Sequence, residues 1–391
     1  MAPLSPPPAC VAAIACDSYE SATVEAALRQ ALAAAVGGLE GVVKPGMTVL
    51  LKPNLLSARP PEQAVTTHPA VVAAMARLCR EAGAARVWIG DSPAGLHPEA
   101  VLWERTGMAA AAAASGAELK SFAGAVVPRP VAGTHLPVPA WLAEVDVLIN
   151  LPKLKTHGLT VLTCALKNPF GLVCGEAKAM CHAKYPSPRS MAGFLVEWFA
   201  AVRPALTVVD AVVALEGDGP ANGAPRPLGV LVAGTDAVAV DAVCARALRV
   251  RPAAVPMLRL AAARGLGEVR HERITVRGDG AERLAAVRLK PSKARWLQWL
   301  PEPVFQLATR LLRCRPEIAA GLCVQCGICI GVCPRQAIHA RAGAAKAPER
   351  IDNGACILCM CCVESCPRHA IRIRSPLDLW NRLVGGQRGR L

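Results

Sequence analysis

The sequence predicts an α/β protein, a mainly parallel sheet with helices on both faces, followed by a small C-terminal α+β module. Three observations predict it. Short runs rich in Val, Ile and Leu recur between about residues 11 and 233, stretches of helical period separate several of them, and eight of the 17 cysteines crowd into two runs after residue 322. Strands covered on both faces read as continuous apolar runs, and strand alternating with helix is the pattern of crossovers within one parallel sheet.

The expected strands are 11–16 (VAAIAC), 47–52 (MTVLLK), 86–90 (RVWIG), 144–150 (EVDVLIN), 205–209 (ALTVV) and 228–233 (LGVLVA). Helical patterns fill 21–36, opening on Ser21 with Glu25 in its early turns, 68–83, behind His68 and Pro69, and 236–248. From about 250 the pattern weakens. Trp296, Trp299, Leu300, Val304, Leu307, Leu311 and Leu312 keep a rough helical period across Pro301 and Pro303, which suits either a helix that docks the C-terminal module or one that lies on a membrane surface. The expected units are an α/β domain at 9–290, a basic amphipathic connector at 291–313, a cysteine-rich module at 314–374 and a basic tail at 375–391.

With no Lys or Arg before Arg29 the N-terminus lacks the positive region of an export signal, so the cysteines point to metal in a reducing compartment rather than to disulfides. A cytoplasmic protein without a membrane span is expected, since no long apolar window escapes a charge or a Pro/Gly break. Residues 1–250 hold 20 Lys and Arg against 19 Asp and Glu, and residues 251–391 hold 24 against 10. The basic surface therefore travels with the cysteines. No aromatic-interleaved basic motif marks a specific nucleic-acid binder, and an acidic redox carrier such as a ferredoxin or flavodoxin is the expected partner.

In an open parallel sheet, ligands gather at the carboxyl ends of the strands. The polar residues fall there. Lys52-Pro53-Asn54, Gly90-Asp91-Ser92, Asn150 through Lys153, Lys155 and His157, and Asp210 follow four predicted strands, and Lys167-Asn168 with Gly171 and the loop Glu216-Gly217-Asp218-Gly219-Pro220 complete the rim. Neither a G-x-x-x-x-G-K-[ST] loop nor a G-x-G-x-x-G turn after a strand occurs, so nothing supports nucleotide binding.

Lys52, Lys153, Lys155 and Lys167 can form a cationic cradle for a small anionic ligand, with Asn54 and Asn168 orienting it, or can be solvated surface lysines. His157 is the expected proton donor, or a structural histidine. Asp91, Asp210, Glu216 and Asp218 offer oxygen ligands for a further divalent metal, or partners for the lysines. Asp236, after Thr235, is expected to cap the following helix, and Asp241 to cap or brace it. His157, Cys164, Cys174, Cys181 and His182 have no standard metal-site spacing.

Residues 323–334 read Cys323-x-x-Cys326-x-x-Cys329-x-x-x-Cys333-Pro334, and Cys356, Cys359, Cys362, Cys366 and Pro367 repeat the spacing 33 residues later. The flanks GLCVQCGICIGVCPRQAI and GACILCMCCVESCPRHAI align as an internal duplication. Two-residue gaps wrap three thiolates round one [4Fe-4S] cluster, and the fourth cysteine of each run reaches the other cluster. Cluster one is then held by Cys323, Cys326, Cys329 and Cys366, and cluster two by Cys356, Cys359, Cys362 and Cys333. Paired C-x-x-C sequences also make zinc sites, but eight cysteines in two proline-closed runs favour clusters. Residues 318–374 resemble the bacterial-type two-cluster ferredoxins. Cys361 falls outside both runs.

The strand-end motifs of the larger domain, with Asp236 and Asp241, make residues 9–290 similar to the domain-of-unknown-function family 362, whose members often carry such a module. The resemblance implies an iron–sulfur protein and no substrate. The expected function is electron transfer, as an oxidoreductase passing electrons from the carrier through two [4Fe-4S] clusters to a small anionic substrate or cofactor in the α/β domain. The alternative is a non-catalytic relay, or an assembly or docking partner of another redox enzyme.

Overall fold

A computed structural model of the chain describes residues 8–93, 98–292, 300, 303–304, 315–368 and 370–374. Most of the expected connector and all of the basic tail lie outside the described residues.

The chain enters through β1 (Ala9–Ala15), α1 (Ser21–Val36), β2 (Thr48–Pro53), α2 (Pro69–Glu81) and β3 (Arg86–Ile89). Next come α3 (Glu99–Arg105), α4 (Met108–Ser115), β4 (Glu118–Leu119) and a separate hairpin, β5 (Val126–Val131) with β6 (Thr134–Pro139). The middle of the chain forms β7 (Val147–Leu151), β8 (Lys153–His157), β9 (Val161–Thr163), α5 (Ala177–Lys184) and α6 (Pro188–Val202). Two 13-residue strands follow, β10 (Leu206–Asp218) and β11 (Asn222–Gly234), and then α7 (Ala237–Cys244), α8 (Pro256–Ala263), β12 (Ile274–Arg277) and α9 (Gly280–Ala286).

The helix ends follow their local chemistry. Pro69 and Pro188 occupy first turns, where a missing N–H costs nothing. His68 caps α2 by accepting the Ala70 N–H on Nδ1, and Ser187 and Ser190 form a reciprocal box at α6. As expected, Asp236 accepts the N–H groups of Val238 and Ala239, each at 2.9 Å. Gly37, left-handed at φ 74°, closes α1 through its N–H to Ala33 O.

The sheet has the order β12-β1-β11-β10-β7-β2-β3-β4, with β8 and β9 branching from β10. It is mainly parallel, with β11 antiparallel to both β1 and β10 and β9 antiparallel to β8. Alternate residues feed two cores. Leu50, Val209, Val230 and Val232 pack under α6 to α8 through Leu195, Trp198, Val238 and Leu258, whereas Val49, Leu51, Val208 and Leu231 pack under α1, α2 and α4 through Leu28, Val71, Met75 and Met108. Helices thus cover both faces.

Two expected loops are strands. Lys153 to His157 continues as β8 after a single break at Pro152, which has no N–H to give the ladder. Glu216 to Asp218 ends β10 rather than forming a glycine loop, so Asp210 lies inside a strand. At that point β10 changes partner, from β7 (Thr207 opposite Asn150) to β8 (Asp210 opposite Lys153), and its register against β11 shifts between Ala211 and Val213. Such irregularities re-aim side chains.

The C-terminal module has an antiparallel pair at Arg315–Ile318 and Ile371–Arg374, a second at Ile338–Arg341 and Ala344–Ile351, and helical turns at Ile328–Gly331 and Cys361–Ser365. Its duplication extends to the backbone. Gln325 and Leu358 take φ of 54° and 53°, and Gly327 and Met360 take 77° and 63°, at matching positions in the two halves.

Candidate functional site

Each half of the module curls its cysteine run round a cavity. One is lined by Cys323, Cys326, Cys329 and Cys366 with Ile318, Ile328 and Ile371. The other is lined by Cys333, Cys356, Cys359 and Cys362 with Ile338, Ile351 and Val363. Matching backbone donors face one sulfur in each: Ala370 N–H to Cys366 Sγ and Ala337 N–H to Cys333 Sγ, both 3.2 Å. Among the described residues no three His, Cys, Asp or Glu side chains are grouped to hold a single metal ion. An apolar cavity ringed by four thiols with N–H donors to sulfur fits a [4Fe-4S] cubane.

The two cavities meet their surroundings differently. Cys326 is exposed, with Leu322 and the 57% exposed Val324 beside it. The other set lies against the α/β domain, where Ala179 of α5 packs on Val332 and Cys361, with Cys359 and Cys362 alongside. Cys361, outside both runs, is therefore a buried contact between the two parts of the chain.

In the α/β domain, Lys52, Lys153 and Lys155 are almost wholly buried. Lys52 Nζ lies 2.7 Å from Asp91 Oδ1 and donates to Pro53 O at the same distance. Lys153 Nζ donates to Asp210 Oδ2 and to Tyr19 Oη, each at 2.8 Å. Burial drives both lysine pKa values down, and the paired carboxylates oppose it. Tyr19 donates in turn to Asp210 Oδ1 (2.8 Å), accepts the Val213 N–H (3.1 Å), and stacks on His68 with centroids 3.6 Å apart.

The second contacts of the two carboxylates fall on one segment. Asp91 Oδ2 accepts the N–H of Leu55 at 2.6 Å, and Asp210 Oδ2 accepts that of His68 at 2.9 Å. Between them runs the loop from Asn54 to Thr67, also pinned by Thr67, which donates its hydroxyl to Leu151 O and accepts the Asn54 N–H. Two buried ion pairs hold the ends of this loop.

The loop serves Lys155, whose Nζ donates to Asn54 Oδ1 (2.5 Å) and Val65 O (2.9 Å). Thr163 pairs with Lys155 across β8 and β9, and His157 follows two residues along the same face. Here buried polar atoms accumulate. Ser57 Oγ, Thr66 Oγ1, Thr163 Oγ1 and His157 Nε2 have no hydrogen-bond partner among the described residues. His157 Nδ1 accepts the Leu159 N–H at 3.0 Å, which puts the ring proton on Nε2, and burial pushes its pKa well below the ordinary value, with Lys167, His182 and Lys155 adding repulsion. The imidazolium that a proton donor requires is thereby suppressed, and the neutral ring offers a hydrogen bond instead. Beside it Val161 has φ 69°, an unusual conformation for a β-branched residue.

The remaining rim residues brace other segments. Asn168 Nδ2 donates to Asn150 Oδ1 (2.8 Å) and Lys52 O (3.1 Å). Glu216 accepts the Lys290 N–H at 3.0 Å and Asp218 accepts from Ser292, so the end of β10 grips residues 290–292. Asp241 accepts the N–H groups of Ala165 and Leu166, bracing the turn after β9, and burial raises its pKa to about 6. Gly171 is needed by close approach, since a Cβ there would meet Asp91 Oδ1 and the Lys52 ammonium. Lys167, half-buried before Asn168, lies near enough to lower the pKa values of His157 and His182.

Sequence reasoning missed Tyr19, His68, Arg59, Thr66 and Thr163. Tyr19 carried a signal, one of two tyrosines in the chain and just past a strand. The others depend on register and loop path.

The family described as a domain of unknown function (DUF362) matches residues 49–246, and a 4Fe-4S dicluster domain matches residues 322–371. A thylakoid-associated protein of Synechocystis is 38% identical over 243 residues, 62% of this chain and 75% of that protein. Among solved structures, the lactate racemase apoprotein of Thermoanaerobacterium thermosaccharolyticum has a TM-score of 0.37 at 10% identity, over 58% of this chain and 54% of that one. A Thermotoga maritima protein has a TM-score of 0.35 at 14% identity, over 55% of each chain. The chain thus spans about half the length of either structure. Of the described helices none is long and apolar enough to cross a membrane. By its central sequence and its C-terminal module, the chain is a member of the DUF362 family that carries a 4Fe-4S dicluster domain and so belongs to the iron–sulfur electron-transfer proteins.

Proposed function

We propose that the protein is an oxidoreductase in which two [4Fe-4S] clusters, held by the crossed cysteine sets, pass electrons one at a time to a small anionic substrate or cofactor beside Lys155. The observation that carries this reading is the set of buried polar atoms without a partner among the described residues, Ser57 Oγ, Thr66 Oγ1, Thr163 Oγ1 and His157 Nε2, on the loop and the β8–β9 pair that Lys155 links. An unsatisfied buried polar group costs about 1–3 kcal/mol, so several together need occupants. Ligand oxygens accepting from Thr66, Thr163 and His157 Nε2 would satisfy those three. Lys52 and Lys153, each matched to a carboxylate, are scaffolding for that pocket. The clusters supply single electrons, and the residues around Lys155 bind and orient the acceptor.

The electron donor in this reading is an acidic carrier of the ferredoxin or flavodoxin kind that meets the exposed Cys326 face, and the compartment is the cytoplasm. The Synechocystis relative is named for association with thylakoids, so fractionation of cells decides whether this chain too is membrane-attached.

The test is anaerobic stopped-flow reoxidation of the reduced holoprotein, followed in the cluster absorbance, against phosphate and a panel of small carboxylates and phosphate esters. At least one compound should accelerate reoxidation, and Lys155→Met should abolish the acceleration. No acceleration by any compound would leave the non-catalytic relay as the function.

A further inference from the structure

The duplicated module presents the same chemistry to both cavities, but the α/β domain touches them unequally. Arg59, in the clamped loop and 8% exposed, donates from Nη2 to Cys366 O (3.3 Å) and from Nη1 to Ala221 O (2.8 Å). Cys333 is the twin of Cys366, and its carbonyl accepts the N–H of Gln336 at 3.0 Å, a contact within its own turn. Lys178 on α5, near the other set, gives its ammonium to Ser92 O, Ser92 Oγ and Pro93 O.

Both partners of Arg59 are carbonyls, and among the described residues it makes no ion pair with a carboxylate. A buried charge without a counter-charge is costly. The negative group that Arg59 faces is the Cys323, Cys326, Cys329 and Cys366 set. We infer that Arg59 is the counter-charge of cluster one and holds its reduction potential above the value the cluster would have without it. This rests on the two-cluster reading proposed above.

The sign follows from charge. Reduction adds one electron, taken from the carrier that is thereby oxidised, and makes the thiolate-bound cluster more negative by one unit. A fixed cation in a low-dielectric interface stabilises the reduced state more than the oxidised one. Cluster two, faced by the methyl group of Ala179, receives no such term from Arg59. Arg59 therefore biases an electron entering the pair toward cluster one, relative to the same protein without that charge.

The test is an anaerobic redox titration of the full-length holoprotein, followed by electron paramagnetic resonance, for wild type, Arg59→Lys, Arg59→Gln and Arg59→Met. Iron and acid-labile sulfide are assayed on each. Arg59→Met should cut the reduced-to-oxidised ratio of one cluster roughly tenfold at fixed ambient potential, about 59 mV for a one-electron couple, with the other cluster unmoved. Arg59→Lys should keep most of the wild-type value. Arg59→Gln can still donate to Cys366 O and should shift like Arg59→Met, which separates charge from hydrogen bonding and serves if the methionine variant loads poorly. Unmoved potentials in fully loaded variants, equal shifts of both clusters, or a lysine variant that shifts as far as methionine would each overturn the inference. Wild-type protein lacking two cluster signals would overturn the two-cluster reading instead.

Discussion

Replacing Gly171 by Ala tests whether the Lys52–Asp91 pair holds its place as tightly as the structure requires. A Cβ at that position would lie 1.9 Å from Asp91 Oδ1, 2.7 Å from Lys52 Nζ and 2.9 Å from Lys52 Cε. Neither side chain has room to yield, with exposures of 3% and 1%. Any retreat of Asp91 also loosens Oδ2 from Leu55 N–H. Breaking a buried pair costs about 3–5 kcal/mol, and the stiffer unfolded chain returns at most about 1 kcal/mol. The expected loss is about 2–5 kcal/mol. At about 2–4 °C per kcal/mol for a domain of this size, Tm should fall by roughly 4–20 °C. Differential scanning calorimetry of anaerobic holoprotein at one fixed scan rate measures it, the rate being fixed because cluster loss makes unfolding irreversible. Gly193→Ala is the control, because Gly193 sits inside α6 with nothing within 4 Å of a new Cβ, and there alanine gains about 1 kcal/mol of helix propensity. If Gly171→Ala melts with the control, the close-packed pair is not part of the native structure.

Three further expectations follow. Tyr19→Phe removes the hydroxyl shared by Asp210, Lys153 and Val213 and should cost about 1–3 kcal/mol, read as a lower denaturation midpoint; an unchanged midpoint would exclude the network. The double variant Cys356→Ser with Cys366→Ser distinguishes crossed from uncrossed ligation, since crossed sets lose both clusters while uncrossed sets keep about four of eight irons per chain by metal assay. The buried His182, its pKa pushed down to about 3 by desolvation and by Lys167 and Lys178, is neutral when folded and titrates near 6.5 when unfolded. Its contribution is complete above about pH 6.5 and disappears as pH falls toward 3. Asp241, raised to about 6, works oppositely, its contribution fading as pH rises from about 4 through 6. The His182→Gln variant should therefore lose stability between pH 6 and 4 less steeply than wild type, by about 1.4 kcal/mol per pH unit. Parallel slopes in the two proteins would refute the buried neutral imidazole.

The cysteine runs were legible because a cubane imposes its demand locally, on residues three apart along the chain. The apolar strands were legible for a related reason, since burial on both faces writes itself as a continuous run. β8 was hidden because K-L-K-T-H has the composition of a loop, and its lysines are buried against partners contributed from distant segments, Asp210 for Lys153 and Asn54 with Val65 for Lys155. The reach of β10 past Asp210 was hidden by its pairing with the proline-containing N-G-A-P-R-P half of β11, a pairing set by register and not by composition. The positions of Lys52, Lys153 and Lys155 after predicted strands did not disclose their partners, Asp91, Asp210 and the Asn54 and Val65 oxygens, which depend on how a loop distant in sequence returns across them.

The clamped loop joins the two halves of the function. A buried carboxylate needs a counter-charge, which Lys52 and Lys153 provide, and each carboxylate also accepts an N–H from one end of the loop, Asp91 at Leu55 and Asp210 at His68. Between these anchors the same segment presents Asn54 and Val65 to Lys155 and Arg59 to Cys366. Removing either ion pair should thus disturb the pocket and cluster one together, while leaving cluster two, which is seated on α5, unaffected. Asp91→Asn is the milder probe, because it keeps the side-chain volume while cancelling the charge. It should lower the potential of the cluster next to Arg59 and weaken ligand-accelerated reoxidation in the same protein. A variant that lost one of these properties and kept the other would show that the loop does not couple them.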